Sequence, residues 1–353
     1  MDLERNPRTT ASLLGQQAAE QRLLSAFQSG RLPHAWLLSG KAGIGKATLA
    51  YRTARFLLAR PDGQSGLMGD MSLDPEDEVF RQVAAGAHPD LQVLERGVNE
   101  KTGKPRSEIV VEEVRRRAER LRKTASGGGW RILIVDTADE MNRSAANALL
   151  KLLEEPPPRA LLLLISHAPG RLLPTIRSRC CMLGLPPLEP EVLDGLLADY
   201  LPDVALEDRQ LLAVLAEGSI GQALDLAAAG GLPLYRRLLG LIGRAGQGID
   251  SVEAHALSDD MLRSKKADSV QVAFGLLTWW LARMIRAGAQ QRTPPALVPE
   301  EEGLAERLLA RRALADWVRL WEKLCALARS CERANLDRKQ AFLSAMIEFD
   351  TAG

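Results

Sequence analysis

A short glycine-rich loop between a predicted strand and a predicted helix limits the possible fold more than any other feature. Residues 40–46, GKAGIGK, follow the apolar residues 35–38 and match the phosphate-binding pattern GxxxxGK. The match is meaningful because the pattern lies between a predicted strand and a predicted helix. Glycines let main-chain N–H groups surround phosphate oxygens, and Lys46 reaches the β- and γ-phosphates. We therefore predict a nucleotide site at Gly40, Gly43, Gly45 and Lys46. A glycine-rich turn without a ligand is the alternative.

The position after the loop lysine departs from this pattern. It normally carries Ser or Thr, whose hydroxyl binds Mg²⁺, but here it is Ala47. Thr48 stands one residue later, about 100° further around the helix, so it cannot simply replace that hydroxyl; it stays in the predicted nucleotide-binding set. The sequence therefore predicts ATP or ADP binding and makes Mg²⁺-dependent chemistry doubtful.

A second apolar strand, residues 132–135, ends at Asp136, where a carboxylate would steady Mg²⁺. Many ATPases of this type carry a water-activating Glu at the next position, but this chain has Thr137. Asp139 and Glu140 follow the strand, and we interpret them as capping charges rather than catalytic groups. Hydrolysis by this chain should be slow without a positioned base.

Two later residues are candidates for contact with a nucleotide. Ser166 ends the predicted strand 161–165 and could contact the γ-phosphate or cap the following turn. Arg179 lies in the segment TIRSRC, residues 175–180. It could be an arginine finger, which stabilises transition-state charge, often across a subunit interface, or an ordinary surface arginine. The segment alone does not decide between them.

The pattern of strands and helices changes once along the 353 residues, a length that suits two or three domains. Short apolar strands alternate with helices up to residue 185, which indicates a parallel α/β layer, and only helices follow. We predict domains at 1–185, 186–230 and 231–353, with surface insertions at 61–75 and 97–106. The predicted strands are 35–38, 91–94, 132–135 and 161–165, and the predicted helices of the first domain include 46–59, 111–123 and 144–155.

Basic residues concentrate on one predicted helix although the whole chain is balanced, with 46 Lys and Arg against 45 Asp and Glu. Any nucleic-acid footprint must therefore be local. Between residues 115 and 123 there are six positive charges, and Arg115, Arg116 and Arg120 are predicted contacts for nucleic-acid phosphates. A solvated helix face is the alternative, because acidic residues are interleaved at helical spacing.

Cysteine and histidine show no metal-site spacing. The cysteines are Cys180, Cys181, Cys325 and Cys331, which fit neither a zinc pattern nor a secreted disulfide framework, so no zinc is predicted. The four histidines, His167 among them, are interpreted as structural. The chain shows no signal peptide and no apolar run near the about 20 residues of a membrane helix, so we expect a cytoplasmic protein that does not contact a membrane.

Taken in order, these motifs resemble the AAA+ clamp-loader family. The runs ANALLK, residues 146–151, and SRC, residues 178–180, are specific, whereas the glycine-rich loop alone is weak evidence. The segments that carry the resemblance are 32–35, 43–50, 88–90, 136–142, 146–156, 178–180 and 335–337.

The resemblance implies a RecA-like AAA+ domain, a small helical lid and an all-α collar that assembles a hetero-pentamer with motor subunits and a delta subunit. Such an assembly uses ATP to place a sliding clamp on primed DNA. A non-motor member acts as a stator and offers the arginine of its SRC segment, here Arg179, to the ATP of a neighbour. The alternative is a catalytically active motor subunit of a clamp loader or a related machine.

The chain departs from the family pattern at a zinc module, which predicts that structural zinc is absent, and at three residues that favour the stator. Many relatives carry a four-cysteine zinc module after the phosphate-loop helix, but residues 61–87 contain no cysteine. Gly221 stands where motor subunits place an arginine, and Ala47 and Thr137 replace the metal-binding and water-activating groups. Lys46 and the three glycines are present, so the resemblance leaves nucleotide binding open.

Overall fold

The computed structural model describes residues 6–60, 69–98, 103, 106–123, 128–263, 269–333 and 337–352. The chain divides into two compact units, Met1–Leu193 and Asp194–Gly353. The predicted division into three domains stays a prediction. Parts of the predicted insertions at 61–75 and 97–106, and residues 335 and 336 of the segment 335–337, lie outside the described residues.

A parallel five-stranded sheet with the order β2-β3-β4-β1-β5 is the centre of the first unit. The predicted α/β fold is confirmed, and the four predicted strands agree with the structure to within one residue at each end. β5 is missing from the prediction because it is a short edge strand in which only Leu183 is buried. The strands are β1 Ala35–Ser39, β2 Leu91–Leu94, β3 Arg131–Val135, β4 Ala160–Ser166 and β5 Cys181–Gly184.

Helices cover both faces of this sheet, and each face has its own apolar core. α1 and α2 pack over one face with Trp36 and Leu38 of β1, whereas α4, α5 and α6 pack over the other face with Leu37. Alternate side chains of a strand point to opposite faces, so β4, buried along all seven residues, contributes to both cores. The helices are α1 Gln17–Gln28, α2 Lys46–Leu58, α3 Glu78–Ala84, α4 Val111–Arg122, α5 Arg143–Glu154, α6 Pro174–Arg177 and α7 Pro190–Tyr200, which crosses the unit boundary.

Among the described residues of the second unit, every secondary-structure element is a helix. α12 packs against α10 and α14, and α14 packs against α15, around the fully buried Phe274, Trp317 and Phe342. Nowhere in the described chain is a helix both long and apolar enough to cross a bilayer. The helices are α8 Leu206–Ala216, α9 Ile220–Ala229, α10 Gly231–Ile242, α11 Ser251–Arg263, α12 Ser269–Ala289, α13 Leu304–Arg311, α14 Leu314–Arg333 and α15 Arg338–Ala352; short 3-10 helices span Ala138–Glu140, Pro169–Arg171 and Pro299–Glu301.

Candidate nucleotide-binding site

The phosphate loop joins the end of β1 to the start of α2, and its shape depends on glycine. Gly40, Gly43 and Gly45 have φ angles of 147°, 73° and 99°, which L residues with a side chain rarely adopt. A Cβ atom at Gly40 would also lie 2.5 Å from the carbonyl oxygen of Leu185. The main-chain N–H groups at the start of α2 are thus free of side-chain cover on the glycine side, and they form a cradle that fits phosphate.

Lys46 is the first residue of α2, and its ammonium group is folded back onto the loop. The Nζ atom donates to the carbonyl oxygens of Gly40, at 2.7 Å, and Lys41. Burial lowers the pKa of Lys46 to about 8, and the nearby carboxylates of Asp136 and Asp139 oppose part of that shift. A desolvated ammonium at the base of the cradle gains from a phosphate anion, because the anion replaces part of the lost solvation.

A buried glutamine that the sequence interpretation passed over supports the loop. Gln16 is 1% exposed, and its Nε2 atom donates to the carbonyl oxygens of Ile44, at 3.1 Å, and Pro186, at 3.0 Å. Its Oε1 atom has no hydrogen-bond partner among the described residues. Gln16 therefore ties the loop to the chain that leaves β5, and it adds an unpartnered buried acceptor beside the cradle.

The side of the site where a metal would bind carries few ligands. Ala47 packs partly against the apolar core of α1 and α2, and Thr48 is half-buried at the next position of α2. Burial raises the pKa of Asp136, which accepts a hydrogen bond from the Thr137 hydroxyl at 3.3 Å. Within the described part of the chain, no group of three or more His, Cys, Asp or Glu is placed to hold a metal ion. The chemistry of this donor set fits a phosphate better than a Mg²⁺ complex.

Asp139 holds the end of β4 in place. Its Oδ1 atom accepts from the Ser166 hydroxyl at 2.6 Å, and Oδ2 accepts from the main-chain N–H groups of His167 and, at 3.0 Å, Ala168. The carboxylate thus caps a strand end rather than a helix start, and three hydrogen bonds engage it. Glu140 pairs with Arg96 at 2.9 Å. The interpretation of both acids as capping rather than catalytic groups stays a prediction.

Ser166 and His167 follow one another at the end of β4 and make different contacts. Ser166 is fully buried and donates to Asp139, so the predicted contact between Ser166 and a nucleotide stays a prediction. His167, interpreted from the sequence as structural, lies with its Nε2 atom 3.4 Å from the Thr137 hydroxyl oxygen. Burial and the charge of Lys46 lower the pKa of His167. The sequence offered one signal for this contact of His167: it directly follows Ser166, and successive side chains of a strand point to opposite faces.

Arg179 lies at the opposite end of the strands from the phosphate loop. β5 is parallel to β1, with Cys181 beside Trp36 and Gly184 beside Ser39. The phosphate loop follows Ser39, at the carboxyl end of β1, whereas Arg179 precedes Cys181, at the amino end of β5. The five residues of β1 span about 17 Å at about 3.3 Å per residue, so the structure separates the two features by the length of the sheet.

Two contacts hold the guanidinium of Arg179 to its own chain. Nη1 donates to the carbonyl oxygen of Thr175 at 3.0 Å, and Nη2 lies 2.8 Å from Oε1 of Glu154, the last residue of α5. The Arg179 side chain is 36% exposed. The sequence interpretation did not identify Glu154 as a partner, because a residue at the end of α5 and one 25 positions later, in the turn before β5, give no spacing signal.

The basic face of α4 forms one wall of an open groove of about 510 Å³. Arg115 and Arg122 line it from α4, and Asn147 and Lys151 line it from α5. The predicted contacts Arg116 and Arg120 are exposed but do not line this groove, and Arg116 pairs with Glu113 within α4. The structure therefore adds Lys151 to the basic residues and separates Arg115 from the other two.

Comparisons with curated proteins find relatives among the subunits of DNA polymerase III. A family model described as DNA polymerase III, delta subunit, matches residues 15–189. The delta-prime subunit of DNA polymerase III from Pseudomonas aeruginosa is 42% identical over 186 residues, 53% of this chain and 53% of that protein. The part of the chain within residues 15–189 is thus similar to the delta-prime subunits of DNA polymerase III. The Escherichia coli delta-prime subunit is 34% identical over 212 residues, 58% of each chain.

The similarity to the curated relatives covers only part of each chain. The chain spans about half the length of the curated delta-prime relatives that it matches. A solved structure of a DNA polymerase III gamma subunit-related protein from Thermotoga maritima covers 94% of this chain and 99% of its own, with 16% identity and a TM-score of 0.42. The sequence match to the delta-prime family contains the phosphate loop, Asp136 and Arg179.

Proposed function

We propose that this chain is a largely non-hydrolysing stator of a DNA polymerase III clamp loader. It assembles with motor subunits and a delta subunit in a hetero-pentamer in the cytoplasm. It supplies Arg179 in trans to ATP bound by a motor subunit, and the assembly loads a sliding clamp on primed DNA. The similarity of residues 15–189 to DNA polymerase III clamp-loader subunits, delta-prime among them, supports this assignment.

The position of Arg179 is the observation that carries the proposal. Arg179 precedes the amino end of β5, and the chain's own phosphate loop follows the carboxyl end of β1, so the two features are separated by the length of β1, about 17 Å. An arginine side chain does not span that distance. The guanidinium is exposed and therefore available to a nucleotide on another subunit, where such a group stabilises the charge of the transferred phosphoryl.

The chain's own site is suited to binding without turnover. The glycine cradle and Lys46 would hold the phosphates of ATP or ADP, and a bound nucleotide would supply anionic oxygens to the main-chain N–H groups and to Nζ. Ala47 offers no hydroxyl for Mg²⁺, and Thr137 offers no carboxylate to activate water. We propose that a nucleotide here stabilises the fold of the subunit.

Two measurements test the proposal. The purified chain should hydrolyse ATP far more slowly than about 1 s⁻¹, the lower range of ordinary enzymes. In a reconstituted assembly, Arg179→Ala in this chain should lower DNA-stimulated ATP hydrolysis by about tenfold or more. Arg177→Ala, which removes an exposed arginine two residues away, is the matched control and should leave the rate unchanged. Fast hydrolysis by the isolated chain, or equal rates for both variants, would reject the stator.

We further propose that the groove between α4 and α5 contacts the phosphates of primed DNA. Arg115, Arg122 and Lys151 bring three positive charges to one groove, against the one negative charge of Glu119. Asn147 and Ser144 add groups that can hydrogen-bond to phosphate oxygens. Arg116 and Arg120 lie on the adjacent face of α4 and extend the positive surface. Contacts of this kind position a protein on DNA without reading its sequence.

A further inference from the structure

We propose that Glu154 is a positioning residue for Arg179: its carboxylate holds the guanidinium in the orientation in which it meets the nucleotide of the neighbouring subunit. This inference rests on the proposed role of Arg179 in trans. It concerns the Glu154–Arg179 ion pair, which joins the end of α5 to the chain just before β5.

The guanidinium is held at two points on opposite terminal nitrogens. Nη2 contacts Oε1 of Glu154 at 2.8 Å, and Nη1 donates to the carbonyl oxygen of Thr175 at 3.0 Å. A planar guanidinium with both terminal nitrogens engaged has a fixed plane, since rotation about its last bonds would break one contact. It carries five N–H donors, so the two contacts leave donors for a phosphate.

Glu154 lies at the C-terminal end of α5, a position that supports a role for its carboxylate in binding Arg179. The C-terminal end of a helix carries partial negative charge, which disfavours acidic side chains. α5 nevertheless ends in Glu154, with Glu155 next. The guanidinium of Arg179 supplies the positive charge that this helix end favours, and it does so through the carboxylate.

Both members of the pair have fixed backbones although their side chains are exposed. Glu154 follows Leu152 and Leu153, which α5 buries in the core on its face of the sheet. Three prolines, 156–158, begin two residues later. Arg179 lies between Ile176 and Cys180, which are also buried. The Glu154 and Arg179 side chains are 49% and 36% exposed. Rigid anchors with exposed tips are suited to presenting a group to a partner at a defined angle.

Removing the carboxylate should therefore weaken catalysis in the neighbour without removing the arginine. Without Glu154, the Arg179 side chain samples more rotamers and must be ordered when the interface forms. Ordering one such side chain changes an equilibrium by about twofold to tenfold. We expect Glu154→Ala to lower kcat of the reconstituted, DNA-stimulated assembly by about threefold to tenfold and to leave KM for ATP unchanged.

The decisive test is a double-mutant cycle in the reconstituted assembly, with Glu154→Ala, Arg179→Ala and the double variant introduced in this chain alone. A positioning residue acts through Arg179, so Glu154→Ala should have no further effect in the Arg179→Ala background. Glu154→Gln keeps an acceptor oxygen at the same reach and should hold the rate within about twofold. Glu155→Ala removes the neighbouring exposed carboxylate and is the matched control.

The outcomes separate this inference from the proposed function. If Arg179→Ala leaves the rate unchanged, the trans role itself is wrong. If Arg179→Ala lowers the rate but Glu154→Ala does not, or if Glu154→Ala acts equally in the Arg179→Ala background, only the positioning role is wrong. A higher rate for Glu154→Ala would show that the pair restrains the arginine, and it would also overturn the inference.

Discussion

Lys46 is buried, which disfavours its charged form, yet it needs that charge to bind a phosphate. Its ammonium group lies against two loop carbonyls in a buried place, and burial lowers its pKa from 10.5 to about 8. A phosphate group beside it would favour the charged form and raise the pKa again. The protonation state of Lys46 and the binding of a nucleotide are therefore linked.

We predict that this linkage makes nucleotide binding pH-dependent. Near pH 7 Lys46 is charged in the free and bound states, so its titration does not change the affinity for ADP. Above the free-state pKa of about 8, binding must take up a proton, and affinity should fall by up to about tenfold per pH unit until the pH reaches the bound-state pKa. Titration calorimetry of the isolated chain with ADP measures this.

The control for this prediction is Lys46→Met, which removes the titrating group. That variant should bind ADP more weakly, and its residual affinity should not change over about pH 7 to 9. His167 does not confuse the result, because burial lowers its pKa and it is neutral throughout this range. An affinity for ADP that is flat or rises above pH 8 in the unaltered chain would contradict the account.

At the scale of elements, the end of β4 depends on the short 3-10 helix that follows β3. Asp139 of that helix accepts one hydroxyl and two main-chain N–H groups from residues 166–168. These donors lie at the carboxyl edge of the sheet, next to the phosphate loop after β1, because β1 and β4 are neighbours in register. One carboxylate thus fixes one wall of the candidate site.

We predict that Asp139→Ala lowers the free energy of unfolding by about 2–4 kcal/mol, because it leaves the fully buried Ser166 hydroxyl without its acceptor. Adding Ser166→Ala should recover part of that loss, since removing both partners is nearly neutral. Glu140→Ala breaks only a partly exposed ion pair and should cost less than about 1 kcal/mol. Urea denaturation provides the values, and equal losses for Asp139→Ala and Glu140→Ala would count against the role of Asp139.

The proposed contact of DNA with the groove between α4 and α5 predicts how the affinity for DNA depends on salt concentration. Arg115→Ala and Lys151→Ala, each introduced in this chain of the assembly, should reduce the slope of log affinity against log salt concentration for primed DNA by about 1. Arg81→Ala, which changes an exposed arginine on α3, should not change the slope. Identical slopes for all the variants would show that DNA does not contact this groove.

Periodicity and motif spacing predicted most elements of the first unit but not the contacts between them. Strong apolar runs and helix patterns placed four strands and the helices α2, α4 and α5 to within one residue. β5 lacks that signal, since a four-residue edge strand with one buried side chain resembles a loop. Gln16 and Glu154 could not be predicted as partners of the phosphate loop and Arg179, because their contacts depend on how distant segments pack.

At the scale of the whole molecule, the order of the strands decides what Arg179 can do. The sequence left open whether Arg179 is a finger or a surface arginine, and only the resemblance to a family favoured the finger. The parallel register of β1 and β5 places Arg179 at the edge opposite the chain's own phosphate loop. A chain with an intact cradle, few metal ligands and an arginine directed away from its own site is suited to completing the site of a neighbour.

The most direct test compares two substitutions in this chain within one reconstituted clamp-loader assembly, measured as DNA-stimulated ATP hydrolysis. Lys46→Ala removes the cationic group of the chain's own cradle, and Arg179→Ala removes the group proposed to act on a neighbour. The account predicts that Lys46→Ala changes the rate by less than about twofold, whereas Arg179→Ala lowers it by about tenfold or more. A large loss with Lys46→Ala and an unchanged rate with Arg179→Ala would contradict it.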